Sequence, residues 1–259
     1  MKAEVTARLI ALNRDFYETF AGAFAATRRR IQPGIRRVLG DFPRSGRWLD
    51  LGCGSGALAL EWIRLKRKGL YHGLDFSTGL LAEAEKVLEG VALTKGLRVK
   101  FGQADLTSMD WTKRFKPGSF DGILAFAVLH HIPGEELRLG LLKQIRDLLK
   151  PKGIFIHSEW QFQYSEKLMK RCLPWEFIGL TSEDVELGDT LMDWRYALED
   201  QKERVGYRYV HLFTRAELEA LVEEAGFRII DEFESDGEGG RLGLYQRWEK
   251  DDGVWMMAH

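Results

Sequence analysis

The sequence has few of the features that mark secreted, membrane or metal-binding proteins. Its 259 residues include two cysteines, Cys53 and Cys172, whose separation fits neither a disulfide framework nor the close ligand pairs of zinc sites. No apolar run approaches the ~18 residues needed to cross a membrane. Charges at Glu4, Arg8 and Arg14 interrupt the region where a signal peptide would be apolar. These absences predict a cytoplasmic protein with no membrane partner and no metal.

The sequence also lacks an excess of charge of either sign. Its 38 lysines and arginines nearly balance 39 aspartates and glutamates, giving a formal net charge of −1. The overall charge therefore does not favour nucleic acid binding, although a local basic stripe would be enough for it. A hydrophobic content of 45% suits one large domain, or one domain with insertions.

What the sequence does contain is a glycine-rich turn between an apolar strand and a helix. The segment Arg47-Trp-Leu-Asp-Leu-Gly-Cys-Gly-Ser-Gly56 leads into this helix, and the next strand ends in Gly73-Leu-Asp-Phe-Ser77. Such a βαβ unit offers bare backbone to a ligand and a carboxylate, here Asp75, to ribose hydroxyls. The turn therefore predicts a site for an adenosine-containing cofactor.

Two cofactors compete for this turn. Gly52, Gly54 and Ala57 fit the fingerprint of dinucleotide sites, with Asp75 as the ribose-binding acid. Asp50, however, directly precedes the turn, where a carboxylate would repel a pyrophosphate but could pair with the ammonium of a methionine moiety. The run Leu-Asp-Leu-Gly-Cys-Gly-Ser-Gly resembles motif I of class I S-adenosylmethionine (SAM) methyltransferases. This resemblance implies SAM as cofactor and S-adenosylhomocysteine as product.

The pattern along the rest of the chain predicts an α/β fold. Apolar strands alternate with helices up to Glu159, which indicates a parallel, doubly wound sheet. The next segment is rich in aromatic residues and has no clear period, so we expect an inserted helical lid. Strands 228–234 and 242–249 are joined by a short turn and must be antiparallel.

A parallel sheet with one antiparallel strand near its C-terminal end resembles the class I methyltransferases. This resemblance implies their Rossmann-like fold, with a seven-stranded, mostly parallel sheet. We therefore divide the chain into an N-terminal helical cap (1–41), an α/β core (42–160 and 208–250), an inserted lid (161–207) and a loose tail (251–259).

Four strand ends supply candidate cofactor-binding residues. Ligands of open α/β sheets bind beyond the carboxyl ends of the strands, where the strand order reverses. Asp75 would accept hydrogen bonds from the ribose diol, and Phe76 would cover a face of the adenine. Asp105 would accept from the adenine amino group, next to the peptide of Ala104. The candidate set at these strand ends is completed by Asp50, Gly52, Gly54 and Ala125.

The candidates on the acceptor side are histidines and an arginine. His130 and His131 follow the fourth strand by a few residues, while Arg208 and His211 lie where the chain enters the last helix. Methyl transfer mainly requires alignment of nucleophile and methyl group. A base is needed only when the nucleophile must lose a proton. The absence of a Ser-His-Asp or metal cluster therefore does not exclude catalysis.

Four short segments resemble the tRNA wobble-uridine methyltransferases that esterify 5-carboxymethyluridine. That resemblance implies that Tyr17 and Arg28 lie against the methionine end of SAM, and that His130, Arg208 and His211 face an anionic acceptor. The segments are Phe16-Tyr-Glu-Thr-Phe-Ala21 with Ala26-Thr-Arg28, Phe120-Asp-Gly-Ile123 with His130-His131, Tyr209-Val-His-Leu-Phe213, and Glu217-Leu-Glu-Ala-Leu-Val-Glu-Glu-Ala-Gly226.

The predicted function is transfer of a methyl group from SAM to an oxygen or nitrogen of a small metabolite. The first alternative is a tRNA wobble-uridine methyltransferase, so the predicted partner is a small-molecule or tRNA acceptor. The second alternative is a SAM-binding partner protein without turnover. The intact glycine motif with Asp75 and Asp105 argues against this last reading.

Overall fold

The structure is a computed structural model that describes residues 1–27, 30–196 and 204–252. Its helices are α1 (Ala3–Thr27), α2 (Pro33–Gly40), α3 (Ala57–Arg64), α4 (Thr78–Leu88), α5 (Glu135–Leu148), α6 (Glu166–Met169) and α7 (Arg215–Ala225). Its strands are β1 (Ser45–Leu51), β2 (Lys68–Asp75), β3 (Leu97–Gln103), β4 (Phe120–Phe126), β5 (Leu149–Trp160), β6 (Cys172–Leu173), β7 (Asp189–Tyr196), β8 (Arg204–His211), β9 (Phe227–Ser235) and β10 (Gly243–Lys250).

Seven of these strands form the central sheet, in the order β3-β2-β1-β4-β5-β10-β9. Strands β1 to β5 pair in parallel, while β10 runs antiparallel to both of its neighbours. The strand order reverses between β1 and β4, so a crevice opens at their carboxyl ends. The predicted Rossmann-like fold, with a seven-stranded, mostly parallel sheet and one antiparallel strand, is confirmed.

Capping residues mark the ends of two helices. Ser77 accepts a hydrogen bond from the backbone of Leu80 at the start of α4, and Thr214 accepts one from Glu217 at the start of α7. Helix α7 ends at Gly226, whose φ of 74° suits glycine. Apolar side chains then cover both faces of the sheet, with Trp48 and Trp62 in one core and Phe155 and Trp248 in the other.

The expectation of a helical lid is wrong. Among its described residues, the inserted segment contains one short α-helix, α6, and its main element is a three-stranded antiparallel sheet in the order β6-β7-β8. Strand β8 pairs with β7, so the lid extends to His211 and includes residues that were expected in the core. The strand pattern is obscured because both faces of this sheet are covered. Leu191 and Tyr209 pack in one apolar cluster, and Met192 and Val210 pack in another.

Helix α1 connects this lid to the core. The side chain of Asn13 is buried and pairs with Tyr209 of β8 in both directions, donating to its carbonyl at 3.2 Å and accepting from its N–H at 2.8 Å. The same amide donates to the carbonyl of His131 at 3.2 Å. Helix, lid and the segment after β4 are therefore joined at one point. No helix in the described ranges is long and apolar enough to span a membrane.

Candidate active site

A cavity of about 530 Å³ lies at the carboxyl ends of β1, β2 and β4. One side of the cavity is lined by the glycine turn after β1 and by the residues that follow β2 and β4. Side chains from α1 and β8, among them Tyr17 and Arg208, border it from the opposite side. Its position matches the crevice where the strand order reverses, which is the expected binding site of this class of sheet.

The glycine turn leaves its backbone accessible to a ligand. Gly52, Gly54 and Gly56 all have positive φ, a conformation that costs glycine little. A Cβ atom at Gly52 would meet a methyl group of Val128 at 2.6 Å, whereas one at Gly54 would meet nothing within 4 Å among the described residues. Gly54 lines the cavity, so a ligand can approach its main chain closely.

Asp75 holds this turn in place. Its Oδ2 accepts a hydrogen bond from the backbone N–H of Gly54 at 2.9 Å, and its Oδ1 accepts one from Ser77 at 2.9 Å. Burial raises the pKa of Asp75, although these backbone donors oppose the rise. Each carboxylate oxygen keeps a second acceptor position. A ribose diol is therefore compatible with this geometry.

Asp50 lies beneath the turn and is buried. The hydroxyl of Tyr71 donates a hydrogen bond to its Oδ2. Burial raises the pKa of Asp50 to about 7, and the nearby carboxyl of Asp75 adds to the rise while the bond from Tyr71 opposes it. A buried acid of this kind gains from a cationic partner, because the cation favours the ionised form. The ammonium of a methionine moiety fits this requirement.

The carboxylate of Asp105 has more hydrogen-bond partners within the protein than the sequence suggested. Its Oδ1 accepts from the backbone N–H and the hydroxyl of Thr107, at 3.0 and 2.6 Å, and its Oδ2 pairs with Arg14 of α1 at 2.6 Å. Phe76, Ala104 and Asp105 all line the cavity, as expected for an adenine pocket. The ion pair with Arg14 connects α1 to this part of the cavity lining.

One of the predicted cofactor residues, Ala125, does not border the cavity. Ala125 is fully buried within β4 and faces the apolar core, and the residues that border the cavity are the next three, Phe126, Ala127 and Val128. Ala127 has a φ of 58°, which a sequence pattern does not reveal for a residue other than glycine. Arg28 lies outside the described residues.

His131 and Tyr17, the latter predicted to lie against the methionine end of SAM, meet at the border of the cavity. Nδ1 of His131 lies 3.1 Å from the carbonyl of Tyr209 and must carry a proton to bond with it. Nε2 of a neutral His131 is then an acceptor for the hydroxyl of Tyr17, at 2.8 Å. The two neighbours of His131 thus fix its tautomer.

His130 and Arg208 border the same part of the cavity. His130 is buried, and its Nδ1 lies 3.0 Å from Oε2 of Glu159. The guanidinium of Arg208 lies over the ring of Trp160, 4.8 Å from its centroid, and over Phe16 at 5.5 Å. Glu159 and Trp160 were not predicted from the sequence; their position at the end of β5, next to β4, was the available signal.

His211 is placed differently from the expectation that it faces an acceptor. It is not among the residues that line the cavity. Its Nδ1 lies 2.7 Å from Asp189 of β7, and its Nε2 lies 2.8 Å from Glu217 of α7. Burial opposes protonation of His211, but the hydrogen bonds to these two carboxylates outweigh it and raise the pKa. Its contacts are those of a link between lid and core.

The sheet with one antiparallel strand, and the cavity at the glycine turn, define the fold of a SAM-dependent methyltransferase. The chain belongs to the methyltransferase domain family, whose family model matches residues 24–232. These findings confirm the predicted family and, with it, SAM as the cofactor.

Three similar proteins illustrate the range of the family. A carboxy-S-adenosyl-L-methionine synthase of Wolinella succinogenes is 29% identical, over 89% of this chain and 92% of that protein. The tRNA (carboxymethyluridine(34)-5-O)-methyltransferase of Schizosaccharomyces pombe is 24% identical, over 83% of this chain and 88% of that protein. A SAM-dependent methyltransferase structure from Methanosarcina mazei is similar in fold, with a TM-score of 0.63, 23% identity and coverage of 85% and 98%. The similarity to the tRNA enzymes is thus confirmed, while the named activities differ among relatives.

Proposed function

We propose that this protein transfers the methyl group of SAM to an oxygen or nitrogen of a small metabolite. One observation carries the proposal: the predicted cofactor residues and the predicted acceptor residues border a single cavity. Asp50, Gly54 and Asp75 lie at one part of it, and His130 and Arg208 at another. A cofactor and an acceptor could therefore share this cavity.

The cofactor part of the cavity suits SAM in three respects. Gly54 gives access to the main chain, Asp75 offers acceptors to the ribose, and the buried Asp50 favours a cation. A dinucleotide would bring pyrophosphate towards that buried carboxyl group, which is unfavourable. When bound, SAM supplies an electrophilic methyl group, and the protein has to align the acceptor with it.

The size and the lining of the cavity favour a small molecule. The cavity volume of about 530 Å³ lies within the range of small-molecule sites. Helix α1 is tied to the lid through Asn13 and to the segment after β4 through Tyr17. Aromatic side chains, including Phe126, Trp160 and Tyr245, supply much of the lining.

A tRNA wobble uridine is the second candidate acceptor. It is supported by the similarity to the Schizosaccharomyces pombe enzyme and by Arg208, a buried cation that could hold a carboxylate or phosphate at the cavity. A SAM-binding partner protein without turnover is a third possibility, and it predicts cofactor binding with no labelled product.

The deciding experiment gives the protein SAM labelled in the methyl group together with either total tRNA or a metabolite extract. Label in the metabolite fraction supports the proposal, label in tRNA supports the second candidate, and SAM binding without label in either supports the third. Calorimetry with SAM and with a nicotinamide dinucleotide serves as the control for the cofactor. Saturable binding of the dinucleotide alone would overturn all three.

A further inference from the structure

Three basic side chains from three elements converge on one face of the central sheet, outside the cavity. A Cβ atom at Gly102 would lie 3.4 Å from Nη1 of Arg114 and 3.5 Å from Nε2 of His72. Lys100 precedes Gly102 by two positions on β3, and its register partner on β2 is His72, so all three residues share a face of the sheet. None of His72, Lys100 and Arg114, here called the basic cluster, lines the cavity.

The fold leaves this face uncovered at the edge of the sheet. Strand β3 is an edge strand, and its connection to β4 contains a short 3-10 helix, Trp111–Arg114, in place of an α-helix. Helix α3 packs on the opposite face, together with Tyr71 of β2. Lys100 and Arg114 therefore remain exposed on a face that helices usually cover in a parallel sheet.

Cations dominate the electrostatic surroundings of His72. Its pKa is lowered to about 4, first by burial and then by the charges of Lys100, Arg114 and Arg47. Among the described residues, no carboxylate forms an ion pair with Lys100 or Arg114. Like charges that are held together disfavour one another, and an opposite charge relieves this cost. An anion bound here would therefore stabilise the basic cluster.

Two acidic side chains of the adjoining segments have other partners. Asp121, at the start of β4, pairs with Lys150 at 2.6 Å. Asp110, which precedes the 3-10 helix, pairs with Lys113 at 2.7 Å. Neither acid is left to neutralise the basic cluster.

We propose that the basic cluster is a binding site for a phosphate group. The guanidinium of Arg114 offers a fork of N–H donors that suits phosphate oxygens, Lys100 adds an ammonium, and His72 can donate through a ring nitrogen. A phosphate monoester carries a charge of about −1.5 to −2 and three acceptor oxygens, so it can bond with donors from three elements at once. This site goes beyond the proposed function, because it lies outside the cavity assigned to cofactor and acceptor.

Protection of the sheet edge explains only part of the basic cluster. Lysines on edge strands discourage pairing with another sheet, and Lys100 on β3 suits that role. Arg114 lies in the segment after β3, and His72 lies on the inner strand β2, so neither protects the edge. The convergence of these residues on one point favours a ligand.

Two sources can supply such a phosphate group: a small phosphorylated molecule or the backbone of a nucleic acid. The exposed side chains of Arg98, Lys113 and Lys116 continue the positive charge along β3 and the segment after it. A nucleic acid would contact these side chains as well, and its binding would weaken steeply with added salt. A small phosphorylated molecule would use the basic cluster alone.

The site is tested by calorimetry with inorganic phosphate and by fluorescence anisotropy with labelled total tRNA, in both cases without SAM. The double variant Lys100→Gln/Arg114→Gln should lose at least tenfold in affinity for the probe that the wild-type protein binds. The matched control is Lys143→Gln/Arg228→Gln, which removes the same charge from exposed side chains that form ion pairs elsewhere.

The two probes distinguish the two sources. If tRNA binds, the slope of log affinity against log salt should fall in the first double variant by about 0.7–0.9 per lost cation. Binding of inorganic phosphate without binding of tRNA assigns the site to a small phosphorylated molecule. Equal affinities in the two double variants, or no binding of either probe to the wild-type protein, would overturn the proposal.

Histidine NMR provides a second readout at the site itself. The ring signal of His72 is identified by its loss in His72→Gln. Bound anion should raise the pKa of His72 from about 4, because a negative charge favours the imidazolium over the repulsion from Lys100, Arg114 and Arg47. An unchanged pKa at a saturating concentration of the probe would contradict the site. Neither measurement uses a methyl acceptor, so failure of this inference and failure of the proposed function are told apart.

Discussion

The hydroxyl of Tyr17 lies 2.8 Å from Nε2 of His131, so helix α1 is hydrogen-bonded to the segment that follows β4. The same ring of His131 donates through Nδ1 to the carbonyl of Tyr209 in the lid. One imidazole therefore connects the N-terminal helix, the core and the lid at the border of the cavity. We expect the position of α1 at the border of the cavity to depend on this connection.

The substitution Tyr17→Phe tests that expectation. It removes the hydroxyl but keeps the ring, which packs edge-on against Phe76 and Phe24. Loss of one hydrogen bond should lower the free energy of unfolding by about 0.5–1.5 kcal/mol, as measured by denaturant titration. It should also weaken SAM binding in calorimetry, because Tyr17 borders the cavity. Tyr164→Phe, at a half-exposed ring, is the control. Equal stability and equal SAM affinity in both variants would show that the contact is dispensable.

The substitution Asp75→Ala tests the cofactor part of the cavity. It should weaken SAM binding on the order of 1.5–3 kcal/mol through loss of charge-assisted hydrogen bonds. Because Asp75 also accepts from Gly54 and Ser77, the variant should lose stability as well. Asp75→Asn keeps one acceptor oxygen. Its SAM affinity and its stability should therefore lie between those of the wild-type protein and those of Asp75→Ala. An unchanged SAM affinity in Asp75→Ala, in a folded protein, would remove Asp75 from the site.

Much of the fold and of the cofactor part of the site could be predicted from local patterns. Strand periodicity, the short link between β9 and β10, and the caps Ser77 and Thr214 all depend on neighbouring residues. The sheet of the lid could not be predicted in this way. Contacts from α1 bury a face of this sheet that would otherwise be exposed, so its strands lack the usual alternation of apolar and polar residues. The positive φ of Ala127 and the position of His211 likewise depend on residues that are distant in sequence.

Asp50 predicts a pH dependence of cofactor binding. Its pKa is raised to about 7 in the free protein, so the protonated form predominates below that pH. Pairing with the ammonium of SAM requires the ionised form, and the affinity should therefore rise as pH increases from 5.5 to 7.5. Below pH 7 the slope should approach tenfold per pH unit, the limit for loss of one proton. Calorimetry in buffers of different ionisation enthalpy should show proton release on binding.

The raised pKa of Asp50 also affects the stability of the protein without bound SAM. A folded-state pKa above the unfolded value of 3.8 means that the folded protein binds more protons between these two pH values. The contribution of Asp50 to stability therefore falls as pH rises from about 4 to about 7, as the linkage relation requires. Asp50→Asn should abolish both this slope and the pH dependence of SAM affinity. A wild-type affinity that does not change between pH 5.5 and 7.5 would contradict the pairing.

His211 provides a pH-dependent link between the lid and the core. It contacts Asp189 of β7 and Glu217 of α7, and the guanidinium of Arg138 on α5 and the carboxylate of Glu186 lie in the same cluster. Its pKa is raised in the folded protein, so its stabilising contribution is fully present below the unfolded value of 6.5. That contribution is lost as pH rises through the folded-state pKa.

The substitution His211→Asn should therefore destabilise the protein more at pH 5.5 than at pH 9, as denaturant titration at the two pH values would measure. Hydrogen exchange should locate the extra opening in β7 and β8, where His211 joins the lid. Because His211 does not border the cavity, methyl transfer at saturating acceptor should change far less than in His130→Asn. A loss of kcat equal to that of His130→Asn, with unchanged stability, would instead return His211 to the catalytic residues predicted from the sequence.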